Sequence, residues 1–176
     1  MNPTGGYRSL PVFQQTEIIY DFTVEFCKKY IDYKSRTNDQ MVQAARSGKQ
    51  NIAEGYLQRS AEGKLKLLAV ARGSLEELLC DYQDYLRQHD LPIWDPNSPQ
   101  ARQIRGVVYN SYKSYNNYKD YISSPTPAAN SMICLINQTN LLLDSTLRKA
   151  REAFVKDGGF RENLLKDRLS YKNNRI

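Results

Sequence analysis

The segment from Thr37 to Gly55 limits the possible folds more than any other, because it has the pattern of a helix with one small, nearly flat face. Alternating steps of three and four residues place five residues on one seam, and four of them are small or polar. These residues are Met41, Ala44, Gly48, Asn51 and Gly55. A glycine inside a helix costs about 1 kcal/mol relative to alanine. Gly48 therefore indicates that a neighbouring helix approaches this backbone closely.

Both ends of this helix carry recognisable signals. Thr37 and Gln40 have the spacing of a capping box, in which each side chain bonds the other residue's free backbone N–H. Gly55 suits the left-handed residue that commonly ends a helix. We therefore expect the helix to begin at Thr37 and to end at Gly55.

Three further long helices are predicted from apolar residues that recur every three or four positions. Their expected ranges are 13 to 33, 61 to about 88 after the N-cap residue Ser60, and about 129 to 156 before Gly158 and Gly159. The seam of the 61 to 88 helix is Leu68, Ala71, Leu75, Leu78, Tyr82 and Tyr85. Gly73 is a second glycine inside a predicted helix, where the absent side chain would allow close packing. We therefore expect Gly48 and Gly73 to lie near one antiparallel helix contact.

A tyrosine repeat lies between the last two of these helices. The proline-rich stretch 90 to 100 predicts a connector, and Ser98 with Pro99 predicts the start of a fourth helix. The repeat is Tyr109, Tyr112, Tyr115, Tyr118 and Tyr121. An α-helix turns about 100° per residue, so successive tyrosines move about 60° round the axis and cannot share one face. We expect them either to pack against the rest of the fold or another subunit, or to present rings to a partner or to bases.

Composition and charge exclude several classes of protein. No run approaches the ~18 apolar residues of a membrane span, and MNPTGGYRSL lacks an apolar signal core, so we expect a cytoplasmic protein without membrane contact. Three scattered cysteines and one histidine favour neither a disulfide framework nor a zinc site. The net charge is +6, and residues 129 to 176 carry nine Lys/Arg against five Asp/Glu. A basic balance favours contact with polyanions.

The sequence lacks the residue patterns of the catalytic sites expected in a helical bundle. A di-metal site in a helical bundle needs Glu-x-x-His on two helices, and His89 is the single histidine. We expect no enzyme activity, no cofactor and no metal. Four polar residues of the second and third helices, Asn51, Glu54, Ser74 and Glu77, are interpreted as structural groups that pair across these helices, because buried polar groups need partners.

Two motifs give the chain a family resemblance. Asn51 to Gly55, NIAEG, follows Ala44 to Ser47, AARS, and precedes Ala71 to Leu78, ARGSLEEL. This combination resembles the 23S rRNA intervening-sequence protein family. The tyrosine-rich insert and the run from Cys134 to Asn140 resemble its subgroup of four helix bundle suffix proteins.

The resemblance implies an all-α fold, an antiparallel four-helix bundle with the additional Tyr-rich helix inserted between the third and last bundle helices. The bundle domain would span residues 1 to 157, with the insert at about 92 to 128 and a basic tail at 158 to 176. Relatives often form ring-like homopentamers, and similarly built accessory proteins of diversity-generating retroelements bind nucleic acid and a reverse transcriptase. In the tail, Leu164, Leu165 and Leu169 are expected to line one side of a short helix.

Two functions of different class follow. The first is an oligomeric protein that binds structured RNA, or other nucleic acid, through phosphate contacts. Its candidate residues are Arg46, Lys49, Arg59, Lys64, Lys66, Arg161, Lys166 and Arg168. The alternative is a homo-oligomeric scaffold that binds a protein partner through tyrosines and exposed apolar patches.

Overall fold

The computed structural model describes residues 6–107 and 114–173, and this part of the chain contains helices, turns and no strand. The α-helices are α1 (Pro11–Tyr30), α2 (Arg36–Leu57), α3 (Ala61–Gln88), α4 (Pro99–Val107), α5 (Pro125–Asp157) and α6 (Phe160–Asn173). Short 3₁₀ helices occupy Tyr7–Ser9, Tyr115–Asn117 and Lys119–Ser123.

The four long helices contact one another in a closed ring. Helix α1 packs on α2 and on α5, and α3 packs on the same two helices. The core between them holds large side chains with almost no exposed surface: Ile19, Phe22, Phe26, Met41, Ile52, Leu75, Leu78, Tyr82, Leu86 and Met132. All six predicted seam residues of α3 are buried. The three-four pattern therefore identified the inward face of α3 correctly.

The predicted ends of α2 are wrong at both termini. The Ser35 side chain accepts a hydrogen bond from the Thr37 backbone N–H at 3.2 Å, so Ser35 is the N-cap and Thr37 lies inside the helix. At the other end the helix continues through Gly55 to Leu57. Gly55 is buried, and a Cβ there would lie 3.4 Å from Leu67 Cβ. Its small size therefore serves packing against α3 rather than a left-handed helix end.

The two glycines predicted at the α2–α3 contact differ. A Cβ on Gly48 would lie 2.9 Å from Leu75 Cδ2, so the predicted close approach is confirmed there. Gly73 is exposed and has nothing within 4 Å of its ideal Cβ position. The prediction for Gly73 is wrong because this residue lies on the outer face of α3.

Proline decides where two helices begin. Pro11 and Pro125 each occupy the first turn of their helix, where the missing N–H has no helical partner to lose. As a result, α1 and α5 start before the expected residues 13 and 129, and α1 ends at Tyr30 rather than at residue 33. Gly158, with φ of 80°, ends α5 as predicted.

The tyrosine repeat does not continue α4 as one α-helix. Helix α4 is described over Pro99–Val107, and the backbone N–H groups of Tyr118 and Tyr121 bond the carbonyls three residues earlier. A 3₁₀ helix has about three residues per turn, so every third residue returns to one side. Tyr118 is 1% exposed and Tyr115 and Tyr121 are half-buried against the core, which corrects the expectation that they cannot share a face. Tyr109 and Tyr112 lie outside the described residues.

A buried asparagine holds the proline-rich connector onto α5. The Asn130 amide oxygen accepts from the Trp94 N–H at 2.8 Å, and its nitrogen donates to the Pro92 carbonyl at 2.9 Å. The next connection is fixed by Tyr30, whose hydroxyl donates to the Ile122 carbonyl at 2.6 Å. These bonds fix residues 92–94 to α5 and residue 122 to the C-terminal end of α1.

Candidate nucleic-acid interface

The predicted basic residues fall into two groups on different sides of the molecule. Arg46 and Lys49 lie on the side of α2 that faces α1, where the Lys49 Nζ stands 4.3 Å from the centre of the Tyr20 ring. The other six belong to the α2–α3 turn, the first turns of α3, and α6. The structure therefore does not bring all eight residues into one surface.

Lys49 differs from the other cations in its surroundings. Its side chain is half-buried, and the ammonium sits over the Tyr20 ring in the geometry of a cation–π contact. The Lys49 ammonium therefore already has a favourable electrostatic partner within the protein. Arg46 is exposed on the same side of α2.

The second group surrounds the N-terminus of α3. The Ser60 hydroxyl caps this helix by accepting from the Gly63 N–H at 3.0 Å. Helix α6 begins beside it, because Gly159 lies against the Glu62 carboxylate. A hollow of about 480 Å³ at this junction is lined by Ser60, Glu62, Phe160 and Arg161. We call this end of the molecule the basic end and define it by Arg59, Lys64, Lys66 and Arg161, of which Arg161 lines the hollow.

Helix α6 extends the basic end with exposed side chains. It forms over Phe160–Asn173, and none of its residues is buried. Leu165 and Leu169 lie about 40° apart round the axis, whereas Leu164 is turned about 100° from Leu165. The three leucines therefore fall within an arc of about 140°, the one-sided arrangement expected of them. All three are about half exposed.

The C-terminal half of α5 carries basic residues that the candidate set omitted. A hollow of about 430 Å³ on its exposed face is lined by Arg148, Arg151, Glu152, Val155 and Lys156. Spacings of three, four and five residues place these side chains on adjoining parts of the helix surface. The same spacing can be read from the sequence, so it could have identified these basic residues as candidates.

The four polar residues predicted to pair across α2 and α3, Asn51, Glu54, Ser74 and Glu77, do not all pair with one another. The Ser74 hydroxyl of α3 is hydrogen-bonded to the Ser47 hydroxyl of α2 at 2.9 Å, and Asn51 donates to the Ser47 carbonyl at 2.9 Å. Asn51 is therefore linked to α3 through the hydrogen bond that Ser47 makes with Ser74. Glu54 and Glu77 are exposed, and Glu77 lines a polar groove of about 510 Å³ beside Ser74.

The opposite end of α3 is acidic. Burial, followed by the charges of Glu77 and Asp84, raises the pKa of Asp81 to about 6. Asp81 and Asp84 line a hollow of about 270 Å³ together with Tyr85 and His89. Within residues 6–107 and 114–173, no three His, Cys, Asp or Glu side chains are grouped so as to hold a metal ion. Helix α3 therefore joins a basic end to an acidic end.

Burial disfavours the thiolate form of two of the three cysteines. Burial and the charge of Asp81 raise the pKa of the Cys27 thiol to about 12, and burial also raises the pKa of Cys134. Cys80 is exposed on α3. All three thiols are free.

No helix in the described part of the chain combines the length and the apolar character needed to cross a bilayer. Comparison of the chain with protein-family models, with curated proteins and with solved structures gave no match. The resemblance to the intervening-sequence proteins therefore stays a prediction from the motifs alone.

Proposed function

We propose that this protein is a non-enzymatic, oligomeric helical-bundle protein that binds structured RNA through phosphate contacts at the basic end. One observation carries the proposal: α6 begins beside the start of α3, where its Arg161 lines a hollow with Ser60 and Glu62. The cations of α6 therefore lie at the same end of the molecule as Arg59, Lys64 and Lys66. Lysine and arginine contacts to phosphates supply affinity and orientation without reading base sequence. The net charge of +6 favours such a partner.

The proposal includes the arrangement of the helices. An antiparallel four-helix bundle of α1, α2, α3 and α5 is supported by the short connections at residues 31–35 and 58–60, since short loops join antiparallel neighbours. The segment between α3 and α5 would then be the insertion. Assembly into a homopentamer follows from the family resemblance and belongs to the proposal.

The test is fluorescence anisotropy of a labelled RNA hairpin titrated with the full-length protein at about 50 and 200 mM salt. Four phosphate contacts predict a loss of affinity of about 100-fold over this range, because each contact releases about 0.9 counterion. No binding at the lower salt would overturn the proposal.

A matched pair of double variants locates the surface. Lys64→Gln with Lys66→Gln removes two charges from the basic end, and Arg46→Gln with Lys49→Gln removes two charges from the α1–α2 side. Lys64 and Lys66 stand about 160° apart round α3, so one RNA surface contacts only one of them fully. We expect the first pair to lower the salt dependence by about one phosphate contact. A larger loss from the second pair would move the RNA surface to α2.

A second candidate function is a scaffold that binds a protein partner, and a separate observation favours it. Leu141 and Val155 are 71% and 76% exposed on the outer face of α5. Apolar contacts of this kind depend little on salt, in contrast to phosphate contacts. Light scattering of the wild type and of Val155→Glu at 50 and 500 mM salt tests whether this face joins copies of the chain. An oligomer that persists at both salts in the wild type and dissociates in the variant would support this function.

A further inference from the structure

The charges of α6 divide between two sides of the helix. At about 100° per residue, Arg161, Arg168 and Lys172 fall within about 40° of one another, at steps of seven and four residues. We call this row the basic edge. Lys166 lies about 160° from Arg168 and beside Glu162, its neighbour four residues earlier. The basic edge therefore excludes Lys166, although Lys166 belongs to the same basic tail.

Apolar side chains flank the basic edge on both sides. Phe160 and Leu164 lie along one flank, Leu165 and Leu169 along the other, and each is about half exposed. No residue of α6 is buried, and α6 makes no extended contact with another helix within the described residues. A helix shorter than about 15 residues is marginal in water without packing. Helix α6 therefore stands to gain stability from a bound partner.

The charge arrangement decides between the possible partners. Pairing two copies of this face would set three cations against three cations, which is repulsive. A bilayer would have to accept the cations between the apolar flanks, whereas membrane-surface helices keep cations on the polar face. A row of phosphates meets the requirement, since Arg161 to Lys172 spans about 16 Å at 1.5 Å per residue. One strand of a duplex presents several phosphates over that length, enough for the three cations.

We infer that α6 lies along one strand of an RNA duplex and that the basic edge, Arg161, Arg168 and Lys172, binds its phosphates. The inference rests on the proposed function and identifies the part of the chain that contacts the backbone. Arg161 also lines the hollow at the start of α3, so the basic edge begins at the basic end.

Two single variants of the full-length protein test the basic edge, Arg168→Gln and its matched control Lys166→Gln. Each removes one exposed positive charge from α6 and introduces a good helix former. Anisotropy with an RNA hairpin between 50 and 200 mM salt gives affinity and salt slope for both. Arg168→Gln should weaken binding about five- to tenfold at 0.1 M salt and lower the slope by about one, and Lys166→Gln should stay within twofold.

Further variants distinguish a failure of the basic-edge proposal from a failure of the RNA-binding proposal. The triple variant Arg161→Gln, Arg168→Gln and Lys172→Gln should lower the slope by about three, and Arg168→Lys should restore most of the slope lost in Arg168→Gln. Circular dichroism confirms that each variant keeps the wild-type helix content. Equal losses from Arg168→Gln and Lys166→Gln would overturn the basic edge and leave RNA binding standing. Absence of binding by the wild type would overturn both proposals.

Discussion

The backbone of Gly48 in α2 packs directly on the side chain of Leu75 in α3. A Cβ at Gly48 would lie 2.9 Å from Leu75 Cδ2 and 3.1 Å from Leu75 Cγ, both closer than ordinary carbon contacts. Leu75 is fully buried, and side chains in a closely packed core have little room to move. The missing side chain at Gly48 therefore sets how closely α2 and α3 approach.

Gly48→Ala should destabilise the protein, whereas Gly73→Ala should stabilise it. Both changes gain about 1 kcal/mol of helix propensity. At Gly48 the gain is outweighed by overpacking of about 1 to 3 kcal/mol against Leu75, while Gly73 is exposed and has open space around it. Urea unfolding of the two variants measures the difference. Equal stabilisation by both would show that α3 moves to accept the methyl group.

Gln15 and Thr139 form a buried polar pair that is incompletely satisfied. The Thr139 hydroxyl lies 2.8 Å from Gln15 Oε1 and 2.8 Å from the Leu135 carbonyl, and a single hydroxyl proton serves only one of them. Gln15 is 1% exposed and its Nε2 has no partner. Placing Nε2 towards Thr139 would let the hydroxyl accept from Gln15 and donate to Leu135, leaving Oε1 as the unpaired atom.

Gln15→Met should be neutral or stabilising by up to about 1 kcal/mol, because it removes an amide that burial leaves partly unpaired. Thr139→Val should cost about 1 to 2 kcal/mol, since it takes a partner from that amide. In a double-mutant cycle Thr139→Val should cost less in the Gln15→Met background. Thermal unfolding of the four proteins supplies the cycle. A large loss from Gln15→Met alone would mean that its amide is fully satisfied.

Asp81 should make stability depend on pH below neutrality. The pKa of this carboxyl is about 6 in the folded protein against 3.8 ordinarily, so between these values the folded state binds more protons than the unfolded state. Stability from this group is therefore present at low pH and is lost as the pH rises towards 6. The loss is complete above pH 6.

Asp81→Asn should raise stability at pH 7 by about 1 kcal/mol, less than the whole shift implies because solvent screens a partly exposed group. The gain over wild type should shrink between pH 6 and pH 4. Melting temperatures at pH 4.5, 5.5 and 7 measure it, with exposed Asp167→Asn as the control for net charge. A gain that stays constant with pH would exclude Asp81 as the titrating group.

Tyr118→Ala should cost about 3 to 5 kcal/mol, the usual cost of removing a fully buried aromatic ring. Tyr118 is 1% exposed within the core, although it lies between two short 3₁₀ helices. Tyr33→Ala is the matched control, because Tyr33 is 81% exposed and its loss should change stability by less than about 0.5 kcal/mol. Denaturant unfolding distinguishes them. Similar small effects from both would mean that the 3₁₀ segment is not part of the cooperative unit.

The inward faces of the helices were readable from the sequence because they depend on local periodicity. The seam of α3, the Ser60 cap and the end of α5 at Gly158 are all as predicted. Each of these features is decided by residues within a few turns of one another. The close approach at Gly48 was also readable, since an unfavourable helix residue within an inward seam indicates contact.

By itself, the sequence determined the all-helical class and the positions of the long helices, because hydrophobic period and capping residues act over short distances. Only the tertiary structure decided that Tyr115, Tyr118 and Tyr121 pack on the core through two short 3₁₀ helices. It also decided that Ser47 is the partner of Ser74. It also separated Arg46 and Lys49 from the cations beside α6. These outcomes depend on which helices become neighbours, and burial and contact between distant segments override local turn preference.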